Sequence, residues 1–215
     1  MEFIQIASPE QHKLFPLPYG FDTLEPVIST ETLHLHHDII QQKYIDGLNN
    51  AEIHLEEVRK SGDYALIQHW EDQMAYHGSG MILHCVYWTT MAPAGQGGRP
   101  GTETEIQINK NFENYARFQE QFINTAKKLE GPGWIILSWQ PFWHRPEILR
   151  AELNENKAIW SGIPILALDL WEHAYFLDYK ISVNEYIDKW WQLINWKEVE
   201  ARLVLAMNGE VTLSI

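Results

Sequence analysis

Apolar positions recur along this chain with two periods, and the change of period divides it. His36, Ile40, Tyr44 and Leu48 fall four residues apart, on one face of a helix. Ser29 or Thr30 offers an N-cap and Ser61-Gly62-Asp63 a stop, so a first helix is predicted between them. A second is predicted from about Tyr64 to Thr90, where Ile67, Trp70, Met74, His77, Met81, His84 and Trp88 alternate steps of three and four. Two such helices with a short turn form an antiparallel hairpin. Gly78 and Gly80 sit inside the second helix, where each costs about 1 kcal/mol against Ala. The pattern therefore predicts a close approach there.

Pro16, Pro18, Gly20 and Pro26 mark residues 1 to about 28 as irregular, and Pro93 to Gly101 reads as a linker. One helical stretch follows, with Phe112, Tyr115, Phe118 and Phe122 as its apolar face, ending at Gly131-Pro132-Gly133. Short apolar runs then predict strands over Trp134–Trp139, Ile148–Leu153 and Ile163–Asp169. Helices over about Asn184–Leu193 and Lys197–Met207 close the chain. The layout is a helical hairpin followed by a small mixed α/β domain, divided as 1–95 and 96–215.

Composition narrows the classes. The 215 residues are 45% hydrophobic and 13% aromatic, with 10 Trp, enough for a substantial core. No apolar run of membrane-spanning length is present, and Met1-Glu2-Phe3-Ile4-Gln5 lacks the features of a signal peptide. The single cysteine, Cys85, excludes an intrachain disulfide and a cysteine-based zinc site, and makes a cytoplasmic setting the expectation. A formal charge of -13 argues against a nucleic-acid partner.

The chemistry concentrates in Asp169-Leu170-Trp171-Glu172-His173-Ala174-Tyr175, which follows the apolar run Ile163–Leu168. A carboxylate ending a buried strand and an imidazole four residues later can reach one point, and that mix of donors suits iron, manganese or zinc. Taken alone, the spacing also describes an Asp that caps a turn and a His satisfied in the core. There is no zincin, phosphate-loop or nucleophile-elbow motif.

Asp169-x-Trp171-Glu172-His173-Ala174-Tyr175 resembles the signature of the iron/manganese superoxide dismutases. The resemblance extends to Leu17–Pro26, to Leu35-His36-His37 with Tyr44 and Leu48-Asn49, and to His84–Trp88. It continues through Gly131-Pro132-Gly133-Trp134 to Trp190-Trp191 and Asn195-Trp196. It implies an α+β fold whose second domain carries a small three-stranded antiparallel sheet. It also implies one ion per subunit, manganese by preference or iron, on His36, His84, Asp169 and His173. The activity implied is conversion of superoxide to oxygen and hydrogen peroxide. Tyr44 matches the family's active-site tyrosine. Trp134, with Trp171 and Trp88, would wall the site. Glu172 matches the residue that crosses a homodimer interface to the partner's ligand His.

Several positions depart from the family. Its gateway histidine falls on Ile40 and the tyrosine that pairs with it on Phe176, so both ends of one hydrogen bond have become apolar together. Its basic funnel pair falls on Ser182 and Val183, leaving Lys43 or Lys180 as substitutes. Gly80 replaces the glutamine of iron-type members, which leans the metal toward manganese. Asn154 falls where other members place a second-sphere amide. These losses predict reduced activity. They motivate a second reading, a metal-binding structural or assembly homologue with little dismutase activity. A third reading, an iron oxygenase with two His and one carboxylate, leaves one His unexplained.

Overall fold

The computed structural model describes residues 11–210. The first helix is one long rod in three segments: α1 (Thr30–His34), a π-helical stretch (Leu35–Gln41) and α2 (Gln42–Ser61). Ser29 caps it, its hydroxyl accepting from the Thr32 amide at 3.1 Å. Gly62 ends it in the left-handed region at φ 72°. Helix α3 (Ile67–Thr89) returns antiparallel to α2.

The π-helical stretch is the element that periodicity did not anticipate. In a regular α-helix two residues eight apart are offset by about 80° around the axis. A π turn holds about one more residue than an α turn. It therefore removes much of that offset between His36 and Tyr44 and turns both toward α3. The apolar seam of α3 also differs from the pattern. Met74 is 40% exposed, whereas Leu83 to Thr89 are buried on every face. This half of α3 packs against β3 as well as α2, so a one-sided pattern no longer describes it.

The expected single helix after the linker is two, α4 (Thr102–Phe112) and α5 (Tyr115–Lys127). Glu113 breaks it with φ 68°, and Asn114 caps α5 by accepting from the Arg117 amide at 3.0 Å. The segment before α4 is clamped. The Ala92 amide donates to the Leu193 carbonyl at 2.7 Å, and Asn195 donates to Thr90 at 2.8 Å. A Cβ on Gly97 would lie 1.8 Å from the Ile194 carbonyl oxygen. The Glu200 carboxylate caps α4 from a later helix, accepting from the amides of Glu103 and Thr104 at 2.9 and 2.7 Å.

Three strands, β1 (Gly133–Gln140), β2 (Arg145–Glu152) and β3 (Ile163–Asp169), form an antiparallel sheet in the order β2-β1-β3. Strand β2 starts three residues before the apolar pattern does. Pro146 is tolerated there because β2 lies at the sheet edge. Register pairs Trp134 with Asp169 at one end of the sheet. After β3 comes α6 (Glu172–Tyr179), a helix the period analysis did not separate from the motif it carries. Then follow α7 (Val183–Trp190), a 3-10 turn (Trp191–Leu193) and α8 (Trp196–Met207). One buried cluster runs from Leu24 and Leu33 through Val86 and Tyr87 to the strands and Val199. Among the described residues no helix is long and apolar enough to cross a membrane.

The two glycines of α3 separate cleanly. A Cβ on Gly80 would sit 2.5 Å from the Tyr44 ring, whereas one on Gly78 meets only Leu48 at 3.5 Å. Gly78→Ala should raise the unfolding midpoint, gaining up to about 1 kcal/mol. Gly80→Ala should lower it by about 1–3 kcal/mol, because the Tyr44 ring must move. Thermal unfolding followed by circular dichroism tests this, and equal midpoints for the two variants would show that the ring yields without cost.

Candidate metal centre

Asp169 ends β3 against Trp134, fully buried. Its Oδ1 accepts from the Trp171 amide at 2.8 Å, which turns Oδ2 to the other side. Three imidazoles surround that oxygen. His36 Nε2, from the π-helical stretch, lies 3.0 Å away, His173 Nε2 from the first turn of α6 lies 3.2 Å away, and His84 Nε2 from α3 lies 3.7 Å away. One donor atom from each of the four residues lies within 4.8 Å of all the others.

Hydrogen bonding shows what the cluster lacks. His84 Nδ1 donates to the Gly80 carbonyl at 2.6 Å. That fixes the tautomer with the lone pair on Nε2. Yet His84 Nε2 and His36 Nε2 are both buried and have no aligned hydrogen-bond partner. Orphaned buried nitrogens are costly unless something occupies the point they face. A cation at that point satisfies both, and three imidazoles with one carboxylate are a donor set for iron, manganese or zinc.

The electrostatics agree. Burial pushes the His36 imidazole down to about 4, with His173 acting in the same direction. Burial, then His36, pushes His84 down to about 3. Burial alone would push the Asp169 carboxyl up, but His173 and His36 outweigh it and hold the group well below the usual carboxylate range. Neutral imidazoles beside an ionised carboxylate are the protonation states that coordinate a metal.

The surroundings are aromatic. Trp134 is fully buried with its ring 5.0 Å from that of His84, Trp88 lies 4.6 Å from His36, and Trp171 stacks on His173 at 5.7 Å. Tyr44 is buried, 5.1 Å from His84 between ring centres. Burial and the Tyr76 hydroxyl raise its phenol well above the ordinary range, against an opposing hydrogen bond from Asn154. Asn154 is also buried. Its Oδ1 accepts from Trp134 Nε1 at 3.0 Å and its Nδ2 donates to the Tyr76 carbonyl at 3.2 Å.

The sequence-predicted residues thus converge, with one exception. Glu172 is exposed on α6, and no hydrogen bond or ion pair holds it among the described residues. Ile40 is half-buried and Phe176 is 48% exposed. Sequence reasoning passed over three groups. Tyr76 brings its hydroxyl 3.4 Å from that of Tyr44. Gln41 accepts from Trp88 Nε1 at 2.7 Å and donates to Cys85 Sγ at 3.6 Å. Tyr186 donates to the Asp169 carbonyl at 3.1 Å. Tyr76 and Gln41 stand beside the helical seams rather than on them, where periodicity assigns no role.

Comparison with known proteins gives this geometry a context. Residues 11–92 match the family model for the alpha-hairpin domain of iron/manganese superoxide dismutases, and residues 100–202 match that for their C-terminal domain. The chain is 44% identical over 192 residues to a probable superoxide dismutase [Fe] of Bacillus subtilis, covering 89% of this chain and 68% of that one. It is 39% identical over 211 residues to a superoxide dismutase [Fe] of Pyrobaculum aerophilum, covering 98% and 100%. It is 36% identical over 206 residues to a superoxide dismutase [Mn/Fe] of Aeropyrum pernix, covering 95% and 96%. Both halves of the sequence and the fold that joins them place the chain in the iron/manganese superoxide dismutase family.

Proposed function

We propose that the protein converts superoxide to oxygen and hydrogen peroxide, using one manganese or iron ion per chain held by His36, His84, Asp169 and His173. The observation that carries this reading is the pair of buried, unpartnered Nε2 atoms of His36 and His84 facing Asp169 Oδ2. The bound ion would supply one-electron chemistry, accepting an electron from one superoxide and returning it to the next.

The chain's own residues hold, orient and exclude. The Gly80 carbonyl keeps the His84 ring in one tautomer. Trp134, Trp88 and Trp171 pack against the rings of His84, His36 and His173 and shield the donor atoms from bulk water. Tyr44 holds a proton at its hydroxyl near His84, and Asn154 bonds Trp134 while facing Tyr44, so one amide sets the position of both. The lean toward manganese rests on Gly80, which brings no side chain to the site. The names of the relatives span Fe, Mn/Fe and Mn, so the proposal covers both metals.

Glu172 is proposed to reach His173 of a second copy, making the homodimer part of the site. An exposed carboxylate beside a ligand residue at the start of α6 is free to do so. Attenuation is proposed as well. Ser182 is exposed and Val183 half-buried, and neither carries a charge that would attract an anion. Lys180 Nζ donates to the Leu177 carbonyl at 2.8 Å and lies over the Phe176 ring at 5.7 Å, a cation two residues from Ser182 on a chain of charge -13.

Replacing His36, His84, Asp169 or His173 with Ala should remove most bound metal, read by elemental analysis of purified protein. A full metal equivalent retained in two or more of these variants sinks the site. Glu172→Ala should weaken both dimerisation and metal retention in sedimentation experiments; a metal-replete monomer at micromolar concentration speaks against the bridge. The rate of metal-verified enzyme should be roughly tenfold or more below what electrostatic focusing gives a well-steered enzyme. Added salt should leave that rate flat or slightly higher, by screening the overall repulsion. A steep fall with salt would show that Lys43 or Lys180 steers the substrate after all. Metal-loaded protein without activity would favour the structural homologue instead.

A further inference from the structure

Tyr44 needs a route to solvent if its hydroxyl is to give up a proton at every turnover, because the residue is buried. The groups near it limit that route. Ile40, one helical turn before Tyr44, carries no polar side-chain atom. His77 brings its ring 5.9 Å from that of Tyr44, but its Nε2 is engaged with Gln73 Oε1 at 3.3 Å and its buried Nδ1 makes no hydrogen bond, so the ring does not link the Tyr44 hydroxyl to anything beyond it. Asn154 also bonds the Tyr44 hydroxyl, but it is buried and its amide leads on only to Trp134 and the Tyr76 carbonyl, neither of which passes a proton outward. Tyr76 remains. Its hydroxyl stands 3.4 Å from that of Tyr44, with ring centres 5.5 Å apart. The residue is half-buried, on the way from buried Tyr44 to half-buried Trp171, whose ring lies 6.4 Å further on.

Resting on the dismutase reading above, we infer that Tyr76 is a positioning residue that works through Tyr44, its hydroxyl linking that of Tyr44 to solvent. Reduction of superoxide to hydrogen peroxide takes one electron and two protons. The electron comes with the metal chemistry already stated. One proton leaves the Tyr44 hydroxyl for a peroxide oxygen. The Tyr76 O–H bond breaks as its proton restores Tyr44, and water restores Tyr76; the second proton comes from water directly. The separation is longer than the roughly 2.7–2.8 Å of an ordinary hydroxyl pair. A small rotation of either ring closes it, and a hydroxyl that alternately donates and accepts needs that freedom. The Asn154 bond to the Tyr76 backbone holds that part of α3 in register with Trp134, so the two hydroxyls stay within reach while the rings turn.

The test uses metal-loaded wild type, Tyr76→Phe, Tyr44→Phe and the double variant, with metal content verified in each. Tyr76→Phe should keep its metal and lower kcat about 3- to 10-fold, while kcat/KM stays within about twofold because encounter with the anion does not need the relay. The double variant should be no slower than Tyr44→Phe alone. A readout independent of turnover is the thermal unfolding midpoint of the four metal-free proteins, where the two single changes should not add. Wild-type kcat in Tyr76→Phe, losses that multiply in the double variant, or strictly additive midpoints would each overturn the inference. Should the metal-loaded wild type itself lack dismutase activity, the proposed function fails, while the unfolding cycle still decides whether the two hydroxyls are coupled.

Discussion

A single ionised carboxylate buried between a strand end and three imidazoles is the constraint around which this fold is arranged. Asp169 is fully buried, and an unpaired charge in that position would cost several kcal/mol. Its partners come from separate elements: the π-helical stretch, α3 and α6. The backbone is drawn in too, through the Trp171 amide on Oδ1 and the Tyr186 hydroxyl on the Asp169 carbonyl. Tyr186 in turn shares a 2.9 Å hydrogen bond with Tyr87 on α3. The hairpin and the sheet therefore meet at a charged point, and a shift of either would leave several buried polar groups unpaired.

That meeting sets the local geometry of the hairpin. His36 and Tyr44 must both face α3, which a regular helix would not allow at a spacing of eight, and the wider π turn supplies the rotation. Tyr44 then lies flat against α3, where only the missing Cβ of Gly80 leaves room. Gly80 contributes a second time through its carbonyl, which orients His84. One residue thus serves both the approach of the helices and the tautomer of an imidazole. Gly78, two positions away, does neither.

What could be read from the sequence follows from this. The hairpin was legible because capping Ser29 and terminating Gly62 act locally, and the three strands because their apolar runs are short and bounded. The association of Asp169, His173, His84 and His36 was legible as a motif, not as a period. The π-helical stretch was not, since its i, i+4 apolar positions look like those of any helix. The break at Glu113 was hidden because Phe112, Tyr115 and Phe118 carry an unbroken apolar face across it, and only Asn114 signalled a new start. Met74 was misjudged because a seam implies cover, and the outer end of the hairpin has little. Tyr76 escaped because a tyrosine beside the seam has the pattern of a surface aromatic, and only the approach of α2 makes it a neighbour of Tyr44.

Ile40 and Phe176, set by the family resemblance where other members would hydrogen-bond, take on a different meaning beside that neighbour. Removing both ends of a hydrogen bond leaves no buried group unsatisfied, so the fold tolerates it. It does leave Tyr44 in need of a partner, since a phenol raised by burial still has to donate and accept. Asn154 and Tyr76 supply that from within the chain, one from the loop after β2 and one from α3. The polar contacts around Tyr44 are thereby made within one chain, from α3 and from the loop after β2. Precision around Tyr44 then depends on how α2 and α3 pack, which returns it to the same glycine and the same buried carboxylate that fix the donor atoms.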